Sequence, residues 1–443
     1  MKHRALLIAM AMAIGALEAG AQEALTLDRA VETALAANAS LRASRATGAE
    51  TAARAAGARA SLLPRVSFSE AWQRTDQPVA VFSSLLASRR FAAVNFAIDA
   101  LNHPAPTGFF RASAGAEQLI FDGGGRRSGI VAAALQHDAA EIATEQMEAD
   151  LACDVTRMFG RVLTAQAVGR ATDAALASAR EDLASAERRR DAGSATEADV
   201  LSVAVLVADL RQRAIQADGD ATIARAELNR LMGAPVERAF RAIEPPSPEN
   251  PPRERPDLAR LFAEADRRSP ELRKAQLAER LAETGRRVAR AALLPRITAQ
   301  AAIDVSGTRF DDRASAWLVG AELRWTLSTG GAELAQRKAA AAAADRAVAL
   351  REDARAAVHV DVIAALQRQE SALARQSTGR AALDQARESQ RIIRDRFDAG
   401  LASVNDVLRA ATAVLDADAN QTSAAVDVIV SGAMLRRALG RTR

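Results

Sequence analysis

Tyrosine is absent from this chain of 443 residues, and aromatics of every kind make up only 3% of it, as twelve Phe and three Trp. A chain so poor in bulky side chains cannot fill thick conventional cores. The single cysteine, Cys153, excludes a disulfide framework and any cysteine zinc cluster. Of four histidines, His3 sits among the first residues, and His103, His137 and His359 stand in no recognisable metal-ligand motif with a carboxylate or histidine. That argues against a metalloenzyme or triad hydrolase, and no cofactor or metal is expected. After the first twenty residues no run of about 18 apolar residues occurs, so no transmembrane helix is expected. An excess of one charge is missing too. The 59 Lys and Arg oppose 55 Asp and Glu, and both signs are interspersed, which leaves no nucleic-acid footprint.

What the chain does have is alanine, an export signal and internal repetition. Lys2, His3 and Arg4, the apolar run Ala5 to Leu17 and the small residues Ala19-Gly20-Ala21 read as a signal peptide over residues 1–21. Export without a membrane helix leaves the periplasm, the exterior, or an outer-membrane β-barrel. Leu62-Leu63-Pro64-Arg65 returns as Leu293-Leu294-Pro295-Arg296, an offset of 231. Asp191-Ala192-Gly193 returns as Asp398-Ala399-Gly400, and Asp199-Val200-Leu201 as Asp406-Val407-Leu408, both at an offset of 207. The chain is therefore a tandem duplication. The unequal offsets place an insertion in the first copy, with its expected seat at Val81 to Pro106. The expected domains are a first repeat over 22–234, a proline-rich linker over 235–256 and a second repeat over 257–443.

No proline lies between 107 and 234 or after Pro295. The Ala-, Arg- and Glu-rich stretches there favour helix. Gly125 to Asp191 can run as one helix of about 100 Å, with Arg337 to Asp398 as its twin. Gly193 and Gly400 are then reversals into partner helices over Thr196 to Leu231 and Val404 to Leu439. Such long helices suggest coiled-coil packing.

Between the helices lie four segments of period-two patterning, expected as hairpins over about 64–121 and 296–327. In the clearest, Trp317, Val319, Ala321, Leu323, Trp325 and Leu327 alternate with Gly320, Glu322, Arg324 and Thr326. Ile297 to Val305 and Phe110 to Ala116 alternate likewise. Val66, Phe68 and Trp72 mark the fourth, interrupted by Glu70 on the apolar side. Alternation over about ten residues is the transmembrane β-strand signature, though two half-buried hairpins of a water-soluble protein would alternate too. Polar Gln300, Glu322 and Arg324 are expected to face a lumen, and Ile303, Trp317 and Trp325 to face lipid. Four strands cannot close a membrane barrel, since the smallest has about eight, so the chain must oligomerise. The stretch Phe121 to Gly129 has the context of a nucleotide loop but lacks a Gly-Lys-Ser/Thr ending, and reads instead as a strand-to-helix hinge.

The duplicated order of Leu-Leu-Pro-Arg entering a strand, Phe121-Asp122-Gly123-Gly124 entering a long helix, and Asp-Ala-Gly before Asp-Val-Leu resembles the TolC-like outer membrane efflux family. The resemblance implies a mainly α protomer with membrane β-strands: long coiled-coil helices plus four strands, trimerising into a twelve-stranded barrel and an α-helical periplasmic tunnel. It implies localisation in the outer membrane, lipid around the barrel, and two protein partners, a periplasmic adaptor and an inner-membrane efflux pump or ABC exporter. A periplasmic coiled-coil adaptor or scaffold is the alternative, and it would explain the helices only. Gly193, Ser194, Ala195, Gly400, Leu401 and Ala402 are the expected adaptor-contacting tips. Asp406 and its repeat-mate Asp199 are expected at a periplasmic gate, where the family commonly carries acids. Arg409 departs from that pattern and could pair with Asp406. The competing reading is that both aspartates serve only the helix N-termini, where the dipole favours negative charge.

Overall fold

The computed structural model describes residues 23–244, 256–327 and 329–441. The signal peptide expected over 1–21, the proline cluster at 245–252 and Ser328 lie outside them. In chain order the elements are β1 (Glu23–Leu25), α1 (Leu27–Ala37), α2 (Ala39–Ala60), β2 (Arg65–Thr75), α3 (Pro78–Ala87), a 3-10 turn (Ala93–Phe96), α4 (Ile98–Asn102) and β3 (Thr107–Phe121). Then come α5 (Gly125–Asp191), α6 (Glu197–Met232), β4 (Phe240–Ala242), α7 (Leu258–Arg268) and α8 (Pro270–Ala291). The chain ends with β5 (Arg296–Gly307), β6 (Arg313–Arg324), α9 (Ala332–Asp398) and α10 (Val404–Ala438). Most of the described chain is helical.

Contacts divide the chain into two compact units. The first takes residues up to 47, 141–274 and 353 onward. In it the first copy packs α1 and the parallel pair β1–β4 onto α5 and the end of α6, burying Phe159, Val155, Leu228, Met232 and Phe240. The second copy repeats this with α7, α9 and the end of α10, around Leu261, Val358, Val362, Leu366 and Leu439. Small residues make close packing possible: a Cβ on Gly160 of α5 would lie 2.5 Å from a Val426 methyl of α10. The helix pairs α1–α2 and α7–α8 are broken at matching places. Asn38 accepts from the Leu41 amide at 3.0 Å and donates to the Leu231 carbonyl at 2.9 Å, while Ser269 stands at the equivalent break before Pro270.

The second unit takes residues 48–140 and 275–352. It holds one antiparallel sheet in the order β2-β3-β5-β6. All four helix connections meet this sheet at one end, and the chain turns at the other. The longer of the two connections at the turn end carries α3, the 3-10 turn and α4, the material inserted in the first copy. Its first helix starts at Pro78, ahead of the Val81 seat expected from sequence, because proline suits a first helical position. Asp122 governs the exit from β3: its carboxylate accepts from the Gly124 amide at 3.2 Å and the Arg126 amide at 2.5 Å, capping α5. Gly123 has φ +67°, and a Cβ there would meet Leu294 at 2.8 Å. The stretch from Phe121 to Gly129 is thus a strand-to-helix hinge.

Two boundaries differ from the sequence reading. Helix α9 begins at Ala332, five residues before Arg337, directly after the turn at Gly330 and Gly331. Strand β6 stops at Arg324, paired with Arg296, so Trp325 and Leu327 lie beyond the strand that their alternation suggested. The partner strand cannot extend further because Pro295 has no amide to donate.

Candidate functional site

Register sorts the sheet into two chemically distinct faces. Cross-strand partners project to the same side. Val66, Ala116, Ala301 and Val319 make one row, and Phe68, Ala114, Ile303 and Trp317 the next. Trp72 and Phe110 follow on the same side. The other face presents Arg65, Glu117, Gln300 and Gly320 in one row, then Ser69, Ser113, Asp304 and Ala316. Gln300, Glu322 and Arg324 share this polar face, and Glu322 pairs with Arg324 at 2.6 Å. Ile303 and Trp317 are direct partners on the apolar face. Trp325, past the strand, donates its indole N–H to the Leu293 carbonyl at 3.2 Å. Glu70 remains on the apolar face, where its carboxylate accepts the Trp72 indole N–H at 2.9 Å.

The apolar face is open. Val66 is 75% exposed, Phe68 70% and Trp317 79%, far more contiguous apolar surface than a water-soluble monomer ordinarily shows. Among the described residues the outer strands β2 and β6 have no further partner in the sheet, leaving two edges able to accept another strand.

The helix reversals form the second site. At the end of α5 the Gly193 amide donates to the Arg190 carbonyl at 2.9 Å and the Ser194 amide to the Arg189 carbonyl at 2.8 Å. This Schellman pattern needs a left-handed residue, and Gly193 supplies it at φ +70°. The second copy repeats the pattern, with Gly400 at φ +76° and the Leu401 amide reaching the Arg396 carbonyl at 2.7 Å. Ser194 and Leu401 are exposed, while Ala195 and Ala402 are half-buried.

Each reversal leads into a reciprocal capping box. The Asp199 carboxylate accepts the Thr196 amide at 2.9 Å and hydroxyl at 2.7 Å, while the Asp199 amide donates to the Thr196 hydroxyl at 3.2 Å. Asp406 and Ser403 do the same at 3.0, 2.7 and 3.3 Å. These bonds hold both carboxyls below the ordinary aspartate range. For Asp199 the Thr196 amide is the larger cause and its hydroxyl the next; for Asp406 the order is the Ser403 hydroxyl, then its amide. Arg409 and Arg396 depress Asp406 further as nearby charges. Arg409 acts there through space; the hydrogen bonds to the Asp406 carboxylate come from Ser403.

The two reversals come together in space. Val200 and Val203 of α6 and Ala186 of α5 are buried against Val404 and Leu408 of α10, and the Arg189 guanidinium stacks over the Phe397 ring at 4.5 Å. Farther from the tips the four helices enclose a cleft of about 550 Å³. Across it Arg394 of α9 donates to the Ser178 hydroxyl of α5 at 2.5 Å and lies 3.6 Å from Asp182.

Sequence spacing missed one polar cluster. His359 of α9 meets Asp266 of α7 at 3.0 Å and stacks on Phe262 at 4.3 Å between ring centres. Arg355 joins the same carboxylate at 2.6 Å and is the main reason that its pKa falls below the ordinary range. Among the described residues no group of three or more His, Cys, Asp or Glu is placed to hold a metal ion.

A model of the outer membrane efflux protein family matches residues 30–234 and 261–441. No curated protein matches the chain. Among solved structures, a membrane protein from Pseudomonas aeruginosa is 22% identical, with 94% of this chain and 90% of that one covered and a TM-score of 0.77. The outer membrane protein VceC of Vibrio cholerae is 19% identical, with 94% and 96% covered and a TM-score of 0.75. The CmeC outer membrane channel of Campylobacter jejuni is 16% identical, with 94% and 85% covered and a TM-score of 0.80. With both copies matched, and with the sheet and helix reversals in place, the chain belongs to the outer membrane efflux protein family and is an efflux channel of the outer membrane.

Proposed function

We propose that three copies of the four-stranded sheet close edge to edge into a twelve-stranded barrel, whose helices continue as a periplasmic tunnel. The assembly is the passive exit duct of a tripartite efflux or type I secretion system. It receives substrate from an inner-membrane pump or ABC exporter through a periplasmic adaptor. The observation that carries this reading is the exposed apolar face bounded by two unpaired edges, since four strands are fewer than the roughly eight a membrane barrel needs. On this reading Ile303 and Trp317 face lipid, Trp325 sits at the bilayer border, and Gln300, Glu322 and Arg324 line the lumen. Gly193 to Ala195 and Gly400 to Ala402 are the tips that the adaptor grips. Asp406 and Asp199, with Arg409, surround the periplasmic entrance. The two-copy family match favours this channel over the coiled-coil adaptor alternative, and channels of this family carry out no chemical step.

The test uses cysteines at Gln300 and Trp317. Cys153 is buried, so background labelling is low. A water-soluble thiol reagent is expected to label the 300 variant in intact membranes and spare the 317 variant, and crosslinking in detergent is expected to give trimers. Equal labelling at both positions, or monomers alone, would overturn the barrel.

A further inference from the structure

The turn end of the sheet carries more than an aromatic border. Trp72, Phe110, Gly307 and Arg313 form one cross-strand row on the apolar face, with Arg74 one pair farther out on the same side. Phe310, in the turn between β5 and β6, folds back onto this row. Its ring centre lies 5.4 Å from Trp72 and 4.9 Å from Phe110, and the latter two rings are 5.2 Å apart. Gly307 permits the fold-back: a Cβ there would strike the backbone of Asp312 and lie 3.1 Å from the Arg309 carbonyl. The result is a three-ring platform, with Trp72 and Phe310 more than half exposed.

Basic residues around the platform divide into two kinds. Arg89 and Arg90, from the segment after α3, are committed to internal contacts with the Ser315 carbonyl at 3.1 Å and the Asp312 carboxylate at 3.1 Å. Arg74, Arg309 and Arg313 are exposed and, among the described residues, make no ion pair or side-chain hydrogen bond. Of the nearby acids, Asp312 is neutralised by Arg90. Asp76 and Asp311 lie outside the strands, in the connecting segments, and Glu70, on the apolar face, is occupied by the Trp72 indole N–H at 2.9 Å. Arg74 and Arg313 also stand on the two edge strands, so closing β6 of one copy onto β2 of the next draws them toward each other.

We propose that this end of the sheet binds the phosphorylated sugar headgroup of an outer-leaflet glycolipid. Arg74, Arg309 and Arg313 take the phosphate, and the Trp72–Phe310 platform takes the sugar rings and the first acyl carbons. Guanidinium is the side chain best matched to phosphate, through paired charge-assisted bonds, and aromatic rings at a bilayer border offer an apolar face beside a wet rim. The site rests on the outer-membrane barrel reading, which puts the turn end outside and the helix end in the periplasm.

The test is native mass spectrometry of the full-length trimer in detergent with EDTA present, titrated separately with lipid A, dephosphorylated lipid A and phosphatidylethanolamine. Wild-type trimers are expected to retain lipid A over the other two. The double variant Arg74→Gln with Arg313→Gln is expected to lose about tenfold of that preference, as two charge-assisted contacts go. Arg309→Gln, outside the strands and without risk to barrel assembly, is expected to lower it in the same direction. Equal retention of all three lipids, or of lipid A by wild type and Arg309→Gln, would overturn the site. Displacement of lipid A by inorganic phosphate alone would also overturn it, by assigning the arginines to a free anion. A wild-type chain that forms no trimer would sink the barrel reading instead, an outcome separate from lost lipid preference in intact trimers.

Discussion

Arg89 shows how a single residue can break a local rule that the rest of the chain keeps. Helix ends at Gly193, Gly233, Gly400 and Gly440 all place glycine at the left-handed position, with φ between 66° and 76°. At the end of α3 the same hydrogen-bond pattern recurs, from Arg89 to Leu86 and Arg90 to Leu85, yet the left-handed residue is Arg89 at φ 57°. A side chain there costs roughly 1–2 kcal/mol, and what offsets it is the bond from Arg89 to the Ser315 carbonyl, which fastens the insertion to the second hairpin. Arg89→Gly is expected to leave global stability near neutral, because relief of strain of about 1 kcal/mol opposes loss of a bond of similar worth. Arg89→Ala keeps the strain and loses the bond. Both variants should accelerate hydrogen exchange over residues 78–102. Unchanged protection in both would mean that the bond holds nothing in place. None of this was legible beforehand: Arg89 and Ser315 are separated by 226 residues. The His359–Asp266 contact, across 93 residues, was hidden for the same reason. The capping boxes, by contrast, lie within four consecutive residues and could be read directly.

Elements were legible where the pattern was local or duplicated, and misread where a partner decided the outcome. The offset of 207 that links Gly193 to Gly400 also carries Gly125 onto Ala332, the observed start of α9, five residues ahead of Arg337. Apolar alternation runs on past Arg324 and suggests a strand through Trp325, but alternation cannot reveal that Pro295 has ended the partner strand. Duplication also makes a controlled comparison of glycines possible. Gly193 and Gly400 have nothing within 4 Å of an added Cβ. At Gly233 the new atom would lie 2.5 Å from the Ala37 carbonyl oxygen, and at Gly440 it would lie 2.6 Å from the Arg268 carbonyl. Alanine at 193 or 400 is expected to cost about 1 kcal/mol from the left-handed backbone alone. At 233 or 440 the clash must be relieved as well, by moving α1 or α7, for a further 1–3 kcal/mol or so. Denaturant unfolding of the four variants checks the order. Equal losses at all four sites would mean that the close approaches are softer than their distances imply.

For the whole molecule, the geometry of Asp406 allows its role as a helix cap to be separated from a role as a charge at the channel entrance. One carboxylate oxygen takes both bonds from Ser403. Threefold assembly would set three such carboxylates around one axis. Asparagine at 406 retains an oxygen acceptor for the Ser403 amide while removing the charge, whereas alanine removes both. If the entrance is electrostatic, Asp406→Asn in planar bilayers should raise single-channel conductance and weaken block by multivalent cations, with trimer stability nearly unchanged. Asp406→Ala should do the same and also lower helix stability, because it removes the N3 half of the capping box. The pH dependence has a definite sign. Because the folded carboxyl titrates below the ordinary aspartate range, its charge, and the stability it contributes, is present above the unfolded pKa of about 3.9. Both are lost as pH falls through the lower folded value. Cation block in the parent channel should therefore persist from neutral pH down to about pH 4 and fade only below it, while the Asn variant shows no such fading. Identical block in parent and Asn channels, with a destabilised Ala variant, would leave Asp406 as a helix cap and move the entrance charge elsewhere.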